Sequence, residues 1–240
     1  MKRIALIILL LLPAACARHD PPLIGSGPLG LNVAQAALSG GSPDIALNVT
    51  KDILAKDPNN VPALLSQGDA FSALGRLPEA EASYAKALVA DPKSVGAQMG
   101  LGRLHLRSDP PRAEALFLDV LQHEPGNKVA LNDLGIAYDL QGQHASAQSS
   151  YRKALGADPT MRAASVNLAL SMALNGQAPE AVRLLQPLAN DPGASRRIRD
   201  DLAAALAISG DKAAATRILS ADMTPEQIDQ ALLAYGKFGP

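Results

Sequence analysis

Four histidines, one cysteine and 23 acidic side chains are the groups in this 240-residue sequence with the widest chemical repertoire. A histidine metal site on a helix needs two imidazoles one turn apart, as in H-x3-H. His19, His105, His123 and His144 never fall at such spacing. A single Cys16 allows no internal disulfide and no cysteine-cluster metal site. Gly25-Ser26-Gly27-Pro28-Leu29-Gly30 matches G-x-G-x-x-G, but dinucleotide binding needs a strand before it and a βαβ unit around it. Here Asp20-Pro21-Pro22 precedes and helical patterning follows, so the segment reads as a tether entering a helix. No G-x-S-x-G, H-E-x-x-H or Walker sequence occurs. Glu79, Glu81 and Glu180 sit at helical positions where solvated charge is expected, His123 and His144 lie near helix ends and are also expected to be solvated, and His105 is expected to pack. Arg196-Arg197-Ile198-Arg199-Asp200-Asp201 mixes signs at a helix start, which suits local ion pairs or a grip on an acidic partner. The residues thus point to no catalytic centre, no metal, no cofactor and no small-molecule substrate.

Composition narrows the classes further. The chain is 48% apolar, 19% charged and 3% aromatic, without Trp, and its net charge is −1. No global field draws it to nucleic acid, and few rings are available to stack on bases. The body is Ala- and Leu-rich, which favours helix.

The N-terminus reads as an address. Lys2 and Arg3 precede the apolar run Ile4–Leu12, followed by Pro13-Ala14-Ala15, a secretory signal layout. Nine apolar residues are far fewer than the roughly twenty needed to span a bilayer. Leu12-Pro13-Ala14-Ala15-Cys16 resembles the lipobox of bacterial lipoproteins, in which the Cys becomes the acylated first mature residue. It departs from that pattern at Pro13, three before the Cys, where Leu is usual. The competing reading is ordinary cleavage after Ala15-Cys16-Ala17, which discards the Cys and leaves a soluble periplasmic protein. Lipoproteins with Ala rather than Asp after the Cys, as Ala17 here, resemble those sent to the outer membrane. The expected layout is a signal peptide at 1–15, lipidation at Cys16 and a tether at 16–26. Loss of Lys2 and Arg3 leaves 20 basic against 23 acidic residues, a net charge of −3.

The remainder repeats. Acid-Pro pairs recur at Asp57-Pro58, Asp91-Pro92, Glu124-Pro125, Asp158-Pro159 and Asp191-Pro192, spaced 34, 33, 34 and 33. Ala46, Ala80, Ala113, Ala147, Ala181 and Ala215 keep the same step, as do Gly41, Gly75, Gly142, Gly176 and Gly210, with Asp109 in the third glycine slot. Gly68, Gly102 and Gly135, with Ala34, Ala169 and Ala203, mark close approach on the first helix of each unit. Phe71, Tyr138, Tyr84, Phe117 and Tyr151 fall in phase as core. The period, with its helix–Gly turn–helix–Pro logic, resembles the tetratricopeptide repeat (TPR). That resemblance implies an all-α superhelix of six helix pairs, near 27–60, 61–94, 95–127, 128–161, 162–194 and 195–223. Thr224-Pro225-Glu226-Gln227 is a capping-box start for a final helix within 224–240 that covers the open apolar end.

In TPR proteins the first helix of each pair lines the concave face. This phasing places Leu65, Asp69, Met99, Arg103, Leu106, Asn132, Ile136, Asp139, Leu140, Val166, Asn167, Leu170 and Leu174 there. No Lys falls on that face, so the lysine–asparagine carboxylate clamp of some TPR proteins is absent. The expected occupant is an amphipathic helix or extended apolar peptide. The stretches Asn167–Gly176, Leu184–Ala189 and Arg199–Leu206, with the Asp222–Pro225 close and the lipobox, resemble the TadD-like TPR lipoproteins of the tight-adherence (Tad) system, which assembles Flp pili. The resemblance implies a non-catalytic scaffold on the periplasmic side of the outer membrane, helping the secretin or other pilus components assemble. A general envelope-biogenesis TPR adaptor is the alternative.

Overall fold

The computed structural model describes residues 28–238, and among them every regular element is helical. The pairs are α1 (Pro28–Ser39) with α2 (Pro43–Lys56), α3 (Val61–Ala73) with α4 (Leu77–Ala90), and α5 (Val95–His105) with α6 (Pro110–His123). Then come α7 (Lys128–Leu140) with α8 (His144–Ala157), α9 (Arg162–Leu174) with α10 (Ala178–Asn190), and α11 (Arg196–Ile208) with α12 (Lys212–Leu219). The last helix is α13 (Pro225–Tyr235), followed by a 3-10 turn at Gly236–Phe238. The signal segment, Cys16 and the tether lie outside the described residues.

Local chemistry explains the punctuation. Proline disfavours helical backbone in the residue before it. Asp57, Asp91, Glu124 and Asp158 accordingly leave the helix for φ between −128° and −144°, while their N–H groups still donate to the carbonyls four residues back. Between the helices of a pair, the chain must turn through positive φ, which glycine tolerates. Gly41, Gly75, Gly142, Gly176 and Gly210 all do so, at φ 71° to 97°. Asp109 does not take that role. It sits at φ −152° as N-cap of α6, accepting the Arg112 N–H at 3.2 Å. Helix α5 stops two residues earlier than α3 and α7, so this turn is made by Leu106–Ser108 instead.

Packing follows the small–large pattern. The six recurring alanines of the second helices are all fully buried. Opposite them, the ring of Tyr84 lies between Gly68 of α3 and Gly100 of α5, Phe117 lies against Gly102, and Tyr151 against Gly135. A Cβ at any of these glycines would intrude on the ring. Repeats with Ala34, Ala169 or Ala203 in that slot carry the smaller Thr50, Leu185 or Leu219 opposite. The C-terminal end is closed by α13. Thr224 and Gln227 exchange capping-box hydrogen bonds, and Ile228 is buried in the last core cluster.

First helices pack on one another along the array, α1 on α3, α3 on α5, α7 on α9 and α9 on α11, while each second helix packs on its own first helix and on the next. This sets the first helices on the inner wall of the solenoid. Of the neighbouring first helices, α5 and α7 pack least. They are tied by an ion pair, Arg103 Nε to Asp133 Oδ2 at 2.7 Å.

Ion pairs also tie unit starts to unit ends. Lys128 at the head of α7 reaches Asp158 at 2.7 Å, and Arg162 at the head of α9 reaches Asp191 at 2.9 Å. The Lys128 ammonium, followed by the Thr160 hydroxyl and amide, holds the Asp158 carboxyl at about 2, below its ordinary 3.8. A depressed carboxyl stabilises the fold above its unfolded value, and that contribution is lost as pH falls through the folded value. Asp158→Asn is therefore expected to flatten the fall in unfolding free energy between pH 4 and 2, read from urea midpoints at each pH. An unchanged slope would show that the pair is electrostatically silent.

Candidate functional site

The inner wall carries two recesses. The first, about 450 Å³, lies between α3 and α5 and is lined by Leu65, Asp69, Ser72, Ala73, Gly96, Met99, Gly100 and Arg103, with the Tyr84 ring behind. Gly96 and Gly100 admit it: a Cβ at Gly96 would strike the Leu65 side chain, and one at Gly100 the Tyr84 ring. The second, about 430 Å³, lies between α7, α9 and α11. Its apolar walls are Ile136, Val166 and Ile198, and its polar groups come from Asn132, Asn167, Arg162, Arg197 and Asp201.

A polar chain runs between the two. Arg103 Nε donates to Asp133 at 2.7 Å, Asn132 Nδ2 donates to the other Asp133 oxygen at 3.1 Å, and Asn167 Nδ2 donates to Asn132 Oδ1 at 3.0 Å. Asp133 and Asn132 are buried, so each depends on these partners. Asp133 is a site residue that helical phasing alone misses. Its signal is a carboxylate on the buried face of α7, between Leu131 and Leu134.

Of the thirteen groove candidates, eight line the two recesses, two pack against the core, two stand at helix ends, and Asp139 is apart from all of these. Leu65, Asp69, Met99 and Arg103 meet in the first recess, and Asn132, Ile136, Val166 and Asn167 in the second. Met99, Asn132 and Val166 are buried and form floor rather than rim. Leu106 and Leu170 are half-buried against core clusters. Leu140 and Leu174, at the C-terminal ends of α7 and α9, are 51% and 39% exposed and line neither recess.

Asp139 does not stand open to a ligand. Its carboxylate accepts the Tyr151 hydroxyl at 2.9 Å, the Ser171 hydroxyl at 2.7 Å and the His144 Nδ1–H at 2.8 Å, joining α7, α8 and α9. His144 is therefore a half-buried partner and not a solvated helix-end residue. Ser, His and Asp meet here without the order that activates a nucleophile, because the hydroxyl bonds the carboxylate and not the imidazole. Burial, reinforced by Asp139, pushes the Tyr151 phenol up, and burial with Asp69 does the same to Tyr84, whose hydroxyl donates to Asp69 at 2.6 Å. Both phenols stay protonated donors.

Other polar residues are structural. His105 is buried with Nε2 3.5 Å from Glu81, which also faces Arg112. Glu79 pairs with Arg76 at 2.8 Å and Glu180 with Arg183 at 2.9 Å, so these acids are ion-paired at the surface. Among the described residues no group of three or more His, Cys, Asp or Glu side chains could hold a metal ion, and no helix is long and apolar enough to cross a membrane.

Comparison with known proteins agrees with this geometry. The family profile for the tetratricopeptide repeat matches residues 31–95, 65–128, 99–161 and 132–195. FK506-binding protein-like of Homo sapiens is 37% identical over 76 residues, 32% of this chain and 22% of that protein, so the chain spans about a fifth of that relative's length. The crystal structure of PilW, a type IV pilus biogenesis factor, superimposes with a TM-score of 0.74 at 23% identity, covering 85% of this chain and 96% of PilW. PilF of Pseudomonas aeruginosa gives 0.72 at 16% identity, covering 85% and 95%.

Proposed function

We propose, on the premise that this chain belongs to the tetratricopeptide repeat family, that it is a non-catalytic scaffold receiving another polypeptide along its concave wall and serving pilus assembly at the outer membrane. One observation carries the binding role. First helices from five successive repeats supply two recesses of about 450 and 430 Å³, a scale suited to side chains of a linear partner. Their walls combine aliphatic surface with fixed amides and guanidinium groups, the mixture that gives peptide grooves both affinity and register.

The pilus role is supported by the likeness to PilW over most of both chains and by the resemblance of the C-terminal repeats to TadD-like lipoproteins. In this reading Cys16 carries the acyl chains. Each buried methylene contributes about 0.8 kcal/mol, and two or more chains hold a protein stably at a bilayer. The twelve residues from Cys16 to Gly27 then let the solenoid reach no further than roughly 40 Å from the surface. In this reading the partner is the secretin, whose localisation or multimerisation the scaffold assists.

The test is Cys16→Ser in cells that make Flp pili. The variant is expected in the soluble periplasmic fraction, with secretin multimers reduced at the outer membrane. Unchanged membrane fractionation rejects lipidation, and full secretin multimers in cells lacking the chain altogether reject the pilus role in favour of a general envelope adaptor.

A further inference from the structure

The polar chain along the inner wall stops at Asp201, and the repeat register shows why. Asp133 of α7, Asn167 of α9 and Asp201 of α11 occupy the same slot, each one repeat after the last. The first two find partners on the first helix before their own. Asp133 accepts from Arg103 of α5 at 2.7 Å, and Asn167 donates to Asn132 of α7 at 3.0 Å. One repeat on, the counterpart of Asn132 is Val166, and that of Arg103, by way of Ile136, is Leu170. Both positions that serve its predecessors are therefore aliphatic ahead of Asp201. Its Oδ2 is buried without a hydrogen-bond partner, and burial pushes the carboxyl up. Arg197, one turn back on α11, offsets its charge but donates nothing to this oxygen. Asp201 lines the second recess beside Ile136, Val166 and Ile198. With one oxygen closed off inside the fold, a donor approaches the carboxylate from the recess.

Resting on the groove reading above, we infer that the partner places a tyrosine in the second recess, its ring against Ile136, Val166 and Ile198 and its hydroxyl donating to the Asp201 carboxylate. Tyrosine joins a large apolar ring to a single donor at its tip, which matches three aliphatic walls and one acceptor short of a donor. The chain uses the same arrangement twice within itself. Tyr84 donates to Asp69 at 2.6 Å and Tyr151 to Asp139 at 2.9 Å, in each case a buried phenol serving a carboxylate on a first helix. The other occupants fit less well. Arg197 already offsets Asp201 in charge, so a lysine would bring an uncompensated ammonium between aliphatic walls. A phenylalanine would fill the space and shut the carboxylate away from water with no donor, at the full desolvation cost of that group.

The full-length chain, in detergent, is panned against a random dodecapeptide library, and a recovered sequence is synthesised. Recovered peptides are expected to be enriched in tyrosine and to be blocked by Ala163→Trp, which fills the recess from an exposed position of α9. Replacing the peptide's tyrosine by phenylalanine is expected to weaken binding about tenfold, the scale of a hydrogen bond to a charged group. Against Asp201→Ala the two peptides are expected to bind equally, and against Asp201→Asn, which keeps an acceptor, the tyrosine peptide is expected to stay the tighter. This cycle isolates the hydroxyl–carboxylate contact from any general effect on the fold. Binders that carry lysine or tryptophan in place of tyrosine and weaken with Asp201→Ala overturn the phenol. Binders blocked by Ala163→Trp but indifferent to Asp201→Ala and to loss of the hydroxyl overturn the contact and leave the groove standing. Failure to recover any binder, or binders indifferent to Ala163→Trp as well, overturns the groove reading itself.

Discussion

Gly102→Ala is expected to destabilise the array by about 1–3 kcal/mol, the usual cost of overpacking a filled site, because the new Cβ would enter the van der Waals envelope of the Phe117 ring. Phe117 is fully buried, so it has no open space to swing into. Phe117→Leu alone removes ring carbons from a packed core and is expected to cost roughly 1–2 kcal/mol. Combined, the two changes recreate the pairing that the chain already uses in its fifth and sixth repeats, Ala169 with Leu185 and Ala203 with Leu219. The double variant is therefore expected to be more stable than the sum of the single losses by about 1 kcal/mol or more. Urea midpoints of the four proteins give the coupling. Simple additivity would mean that the glycine and the ring are not one packing unit.

Ile136→Asp with Leu170→Asp is expected to weaken partner capture by at least about 100-fold, the scale of losing two buried anchors at an interface. Ile136 walls the second recess, and a carboxylate there would also sit beside Asp201. Both residues are half-buried against core clusters, so some stability is lost as well. Ala163→Trp separates the two effects, since Ala163 is exposed on α9 and lines the same recess, so a large side chain there fills the recess while costing the fold little. If both variants keep full capture while their helicity is unchanged, the partner contacts another surface.

The helical solenoid was legible because its markers are local. A proline forces the residue before it out of the helix, and a glycine takes the positive φ of the tight turn, whatever the rest of the chain does. The glycine slots of α3, α5 and α7 were legible as close contacts, and their pairing with rings in the next helix is the three-dimensional reason. Asp109 was misleading, because its side chain competes for a backbone N–H and caps α6, so the turn is built upstream. The groove was legible only to the level of a helix face. Phasing cannot say whether a polar residue on that face looks outward or is claimed by a neighbour twelve or thirty residues away. Asp139 is claimed by Tyr151, His144 and Ser171, and Asp133 by Arg103, all through contacts between helices. Arg197 and Asp201 were visible only as members of a mixed-charge cluster. Their place beside Asn132 and Asn167 follows from the stacking of α11 on α9.

The most direct test of the central claim is photo-crosslinking in living cells from single positions on opposite walls. A photoreactive residue at Ala73 in the first recess or at Ala163 in the second, both exposed on first helices, is expected to yield one discrete adduct with a pilus-assembly polypeptide, the secretin first among them. The same residue at Val89, 84% exposed on the second helix α4, is expected to yield none. Adducts from Val89 with none from Ala73 and Ala163 would contradict the concave wall as the binding surface.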